Sequence, residues 1–132
     1  MRKREWLTLV EEYLARVSHY VKCEITEFKD DHDLLQHPPQ GDVIVALEVN
    51  GSRLTSTQFS QMLESWSRRG QGRISFVIGG TDGLPAAISQ MAHFRLSLSD
   101  MTLPHRMARV FLIEQLYRAQ TILRGEPYAR ES

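Results

Sequence analysis

The sequence predicts an α/β protein organised on a parallel sheet, and three observations carry that prediction. Apolar runs of strand length occupy residues 43–49, 74–78 and 95–99, and the stretches between them place apolar residues at helical spacing. Strands that alternate with helices pair in parallel, because each intervening helix returns the chain to the starting edge of the sheet. The first run, VIVALEV, is almost unbroken, as expected of a central strand covered on both faces.

The elements follow in order. From Glu5 to about Tyr20, the residues Trp6, Leu9, Val10, Tyr13, Leu14 and Val17 fall on one side of a helix, which therefore docks by that face. VKCEITEF then alternates Val21, Cys23 and Ile25 with Lys22, Glu24 and Thr26, the period of a strand with one wet face near a sheet edge. KDDHDLLQHPPQGD is a connection, with one helical turn at Leu34 and Leu35. The strand over residues 43–49 ends at Asn50-Gly51. A helix follows, with Phe59, Met62, Leu63 and Trp66 on one face, Ser56 or Thr57 as N-cap and Gly70 as stop. The strand at 74–78 runs into Gly79-Gly80-Thr81-Asp82-Gly83 and a short helix with Pro85 in its first turn. After the strand RLSLS and the loop to Pro104, a helix from about His105 to Arg124 carries apolar residues on more than one face. Its own sheet and a partner are expected to cover them.

Composition bounds the function. With 132 residues, 15.2 kDa and 42% hydrophobic residues, the chain has the size of a single domain over 1–132. Sixteen basic against sixteen acidic residues give a net charge of +0, so attraction to a polyanion has to come from a local patch. One cysteine and five scattered histidines give neither an intrachain disulfide nor zinc-ligand spacing, so no metal is expected. No apolar run reaches the roughly 18 residues of a membrane span, and MRKREWLTL lacks an apolar signal core. A cytoplasmic protein with no membrane contact is the expectation.

In open parallel sheets, ligands bind outside the carboxyl ends of the strands. Three connections leave those ends, after Leu47, at Gly79-Gly80, and from Ser99 to Pro104. The last is unusual for a loop, since Met101, Leu103 and Pro104 are apolar while Ser99 and Thr102 supply hydroxyls. GGTDG fits neither standard phosphate-loop pattern and lacks a lysine, so alone it reads first as a structural turn. His105 reads as a helix-start residue or a substrate contact, and His93 as a helix-end residue. Arg106, Arg109, Arg118, Arg124 and Arg130 read as a solvated face or as phosphate contacts, and Tyr117 as core packing or a base-stacking ring. Covalent catalysis has no motif to support it.

The string FVIGGTDGL…LSLSDMTLPHRMARVFLIEQLYRAQTILRGEPY resembles the RlmH type of SPOUT methyltransferases over nearly sixty consecutive residues. The double-glycine loop, the Leu-Ser-x-Ser-x-Met-Thr-Leu-Pro-His loop, the Glu114-Gln115-Leu116-Tyr117-Arg118-Ala119 helix and the Gly125-x-Pro-Tyr128 tail keep that family's order and spacing. The resemblance implies a C-terminal deep trefoil knot over about residues 74–124 that holds S-adenosylmethionine. It assigns cofactor contacts to Leu47, Gly79, Gly80, Leu98, Ser99, Asp100, Met101, Thr102 and Leu103. It implies a homodimer that methylates N3 of a pseudouridine in large-subunit (23S) ribosomal RNA on the assembled ribosome. His105, Arg109 and Arg118 would contact RNA, and Tyr128 and Arg130 would form the catalytic tail.

The sequence departs from that family in two places. The family's tail reads Pro-Tyr-His followed by a basic residue, whereas here Pro127-Tyr128-Ala129-Arg130 leaves the histidine's role vacant. Family members also begin with an apolar strand ahead of the first helix, which this sequence lacks, and the connection over residues 29–42 is shorter. The alternative these departures raise is a non-catalytic knotted dimer that binds cofactor or ribosome without methyl transfer.

Overall fold

The computed structural model describes residues 2–23, 26, 28–80 and 83–130. It contains α1 (Lys3–Ser18), α2 (Asp31–Gln36), β1 (Val43–Arg53), α3 (Ser56–Ser67), β2 (Ile74–Ile78), α4 (Ala86–Met91), β3 (Phe94–Ser97) and α5 (His105–Leu123), followed by a 3-10 turn at Pro127–Arg130. The three strands form a parallel sheet, as the alternation of strands and helices predicts, in the order β2-β1-β3.

The unbroken apolar run becomes the central strand because both of its faces are covered. Val43 and Val45 pack with Phe59, Leu63 and Trp66 of α3 and with Leu112 and Ala119 of α5. Ile44 points the other way, into a smaller cluster with Leu34 of α2, Val77 and Ile88 of α4. Alternate residues of one strand thus supply two cores, the expected result of a two-residue side-chain period.

Several boundaries differ from the sequence reading. β1 does not stop at Asn50-Gly51. Its register against β3 slips, so that Leu47 and Ser52 both stand opposite Leu96. A Cβ on Gly51 would lie 2.7 Å from the Arg95 carbonyl carbon, so this glycine serves close backbone approach rather than a turn. Thr55, not Ser56 or Thr57, caps α3; its hydroxyl accepts the Gln58 N–H at 3.1 Å while the Gln58 side chain accepts the Thr55 N–H at 2.9 Å. The expected strand over 21–28 is not formed by its described residues, Val21, Lys22, Cys23, Thr26 and Phe28; Glu24, Ile25 and Glu27 lie outside the described residues. Among the described residues the sheet has three strands, none of them from this stretch, and period alone does not make a strand.

Helix α5 is covered on the sheet side through α3 and also by α1 of the same chain. Tyr13 and Tyr20 lie against Tyr117, and Val10 and Trp6 share a cleft with Arg109. Met107 and Phe111 remain exposed. Among the described residues, no helix is long and apolar enough to cross a membrane, and no cluster of His, Cys, Asp and Glu could hold a metal ion.

Candidate functional site at the strand ends and along α5

The register brings the carboxyl ends of the strands together. Leu47 stands opposite Ile78 on one side and Leu96 on the other, so Gly79-Gly80 and the chain from Ser97 onward leave the sheet at one level. The two glycines there do different work. A Cβ on Gly79 would come within 2.4 Å of the Gly83 carbonyl carbon, because the loop folds back through a Gly83 N–H to Gly80 carbonyl bond of 3.0 Å. Gly79 is therefore required by the turn itself, as the structural reading of GGTDG expects. Gly80 has nothing within 4 Å of the same position, leaving bare backbone open to a ligand. Thr81 and Asp82 lie outside the described residues.

The neighbouring loop is built by its own hydroxyls. Ser97 Oγ donates to the Ser99 carbonyl at 2.9 Å, and Ser99 Oγ accepts the Met101 N–H at 3.0 Å. These bonds leave Met101 78% exposed, an unusual position for a large apolar side chain. Thr102 is exposed, Leu103 is half-buried, and Asp100 is ion-paired with Arg53 at the surface. Leu98 borders a small cleft with Leu54, Thr55, Phe59, Phe111 and Gln115. Leu47 is half-buried against the larger core. Open backbone at Gly80 and the exposed apolar side chain of Met101 thus lie in the two connections that flank the carboxyl side of β1.

One residue at this edge escapes a pattern search. Glu48, the lone carboxylate in VIVALEV, accepts a hydrogen bond from Ser89 Oγ at 3.0 Å and lies 4.0 Å from Arg95 Nε. Its side chain is only 20% exposed, so it ties α4 to the ends of β1 and β3. His93 does similar work. Its Nδ1 accepts the Ile44 N–H at 2.9 Å, and its own N–H donates to the Ile44 carbonyl at 2.8 Å. It is a bracket for β1 rather than a helix-end residue.

The remaining sequence-predicted residues divide between the two ends of α5. At its start, His105 and Arg109 share a cleft with Lys3, Trp6, Leu7, Val10 and Arg106. Near its end, Arg118 donates to Glu114 at 2.7 Å and stands over the Tyr128 ring, 5.1 Å from its centroid. Tyr128 meets Tyr117 edge to face at 4.6 Å, and its hydroxyl is hydrogen-bonded to Tyr13. Burial first, then that bond and the nearby Glu114 carboxylate, hold the Tyr128 hydroxyl well above the usual phenol range, so it stays protonated. Tyr20 is also raised, chiefly by its 2.7 Å bond to Glu126. The Arg130 side chain lies outside the described residues.

A helix of 19 residues spans about 28 Å, at about 1.5 Å per residue. The tail folds back on it, with Tyr128 at Tyr117 and Arg118, while Leu98 of the loop borders it at Phe111 and Gln115. Among the described residues, no hydrogen bond, ion pair or ring contact joins the loop to the tail.

Comparison with known proteins gives a consistent result. Residues 1–129 match the family described as predicted SPOUT methyltransferase. Ribosomal RNA large subunit methyltransferase H of Sorangium cellulosum is 48% identical over 125 residues, covering 91% of this chain and 86% of its own. The protein of the same name from Acetivibrio thermocellus is 38% identical over 140 residues, covering 92% of this chain and 88% of its own. That from Clostridium tetani is 36% identical over 146 residues, covering 96% and 92%.

Proposed function

The chain belongs to the SPOUT methyltransferase family, and on that premise we propose that it transfers a methyl group from S-adenosylmethionine to N3 of a pseudouridine in large-subunit (23S) ribosomal RNA of the assembled ribosome. Relatives named as large-subunit ribosomal RNA methyltransferases support the substrate class. The observation that supports the reading is the alignment of Leu47, Ile78 and Leu96, by which the Gly79-Gly80 and Leu98–Leu103 loops leave the sheet at one level on either side of β1. In this reading residues about 74–124 form the trefoil knot of the family, and the protein works in the cytoplasm as a homodimer without metal.

When bound, the cofactor supplies an electrophilic methyl on a sulfonium, so the protein's main task is to position two reactants in line. Gly80 lets the cofactor lie against backbone. Leu98, Met101 and Leu103 flank its heterocycle, with Ser99 fixing the loop, Asp100 and Thr102 at its rim and Leu47 closing the base of the pocket. His105, Arg109 and Arg118 contact RNA, Tyr128 orients the target base, and Arg130 holds a phosphate or the uracil edge. With Tyr128 held protonated and no acceptor at Ala129, the N3 proton leaves to solvent. In the homodimer of this reading, each working site joins the loop of one protomer to the tail of the other.

The test is transfer of labelled methyl to ribosomes from cells lacking the modification. One methyl at a single large-subunit pseudouridine is expected. No transfer, with cofactor bound, would favour the second reading, a non-catalytic knotted dimer, for which Ala129 and the tightly nested Tyr128 hydroxyl speak.

A further inference from the structure

The cleft between the first turns of α1 and α5 has features that neither folding nor the cofactor loop explains. It is lined by Lys3, Trp6, Leu7, Val10, His105, Arg106 and Arg109, with no acidic side chain among them. Helix starts carry partial positive charge and favour acids in the first turn, yet α5 has none there and opens instead with His105 and Arg106. Lys3 stands in the first turn of α1, where the single acid, Glu5, is engaged by the Arg2 N–H at 3.3 Å.

Several arginines are matched with carboxylates: Arg16 with Glu12, Arg53 with Asp100, Arg68 with Glu64, and Arg118 with Glu114. Among the described residues, no carboxylate pairs with Lys3 or Arg106. In a chain of net charge +0, Lys3 and Arg106 at two helix starts raise the energy of the empty protein. An anion filling the cleft would remove that cost. Trp6 adds a half-buried ring, whereas the other tryptophan, Trp66, is in the core.

We propose that this cleft binds the RNA phosphodiester backbone, with Lys3, Arg106 and Arg109 on phosphates and Trp6 stacked on a base. The assignment rests on the RNA-methylating reading above and extends it. Pro104 and His105 directly follow the Leu98–Leu103 loop, so a strand held here approaches the methyl donor. Alternating phosphate and ring contacts suit a single strand, whose bases are free to stack.

The test uses the whole chain and two readouts. Binding of a labelled short oligouridylate at low salt reads the cleft, and methyl transfer to unmodified ribosomes reads the reaction. The Lys3→Gln/Arg106→Gln double variant is expected to bind the oligonucleotide about tenfold more weakly. Its slope of log affinity against log salt should fall by about 1.4, at about 0.7 for each single-strand phosphate contact. RNA should quench tryptophan emission in the wild type and not in Trp6→Phe. A circular dichroism melt checks that the variants fold.

Loss of binding in the double variant supports the cleft even if the wild type transfers no methyl, in which case only the reaction falls. Equal affinity and slope in wild type and double variant overturn the cleft even if methyl is transferred. A wild type that does not bind the oligonucleotide at low salt overturns it too.

Discussion

Gly79 and Gly80 are adjacent and identical in sequence, yet they answer to different constraints. Gly79→Ala drives a methyl into the Gly83 backbone and is expected to cost about 2 kcal/mol or more of stability. Gly80→Ala meets no atom within 4 Å, so its melt should stay near the wild type, while cofactor affinity measured by calorimetry falls at least fivefold. A destabilised Gly80→Ala with unaltered cofactor binding would remove Gly80 from the site. Tyr128 makes a second residue-level case. Because folding raises its pKa, its contribution to stability is complete below about pH 10, the unfolded value, and is lost as the pH climbs above it. Tyr128→Phe should therefore lose about 1 kcal/mol at pH 8 through the Tyr13 bond. Above pH 10 the variant should overtake the wild type in urea melts. None of this was legible in the sequence, since Tyr13, Tyr117 and Tyr128 are far apart along the chain and each reads singly as a packing ring. What sequence could show was the Thr55-x-x-Gln58 capping pattern, hidden by three consecutive hydroxyl residues at 55–57.

At the level of elements, strands and helices with a strong apolar period were readable, and their limits were less so. Residues 43–49 declared a central strand because burial on both faces leaves no room for alternation, whereas the continuation of β1 to Arg53 depends on β3 lying beside it. Gly51 reads locally as a turn glycine; only the Arg95–Leu96 backbone against it gives it another meaning. Gly51→Val should accordingly destabilise the fold by more than the roughly 1 kcal/mol typical of a point substitution. A variant as stable as the wild type in thermal unfolding would mean the strands can part there. His93 shows the same dependence on context. His93→Ala leaves the Ile44 N–H without its acceptor in a buried strand and is expected to cost about 1–3 kcal/mol. Hydrogen exchange of the Ile44 amide, accelerated in the variant, would tie the loss to that bond.

For the molecule as a whole, the fold class and the loops at the strand ends followed from alternation alone, but strand order β2-β1-β3 and the division of labour along α5 did not. Periodicity reports which side of a helix is apolar, not which neighbour covers it, and so the packing of α1 on α5 was not legible. A site shared between protomers has a genetic corollary. A Gly80→Val chain keeps a sound tail, and a Tyr128→Ala chain keeps a sound donor loop. If each site borrows from two protomers, neither variant works alone. An equal mixture, dissociated and reassembled, should recover about a quarter of wild-type methyl transfer, because half the dimers are mixed and each holds one intact site of two. In a cell carrying both alleles, two individually null copies would then support each other, a form of complementation closed to an enzyme whose active site lies within one chain.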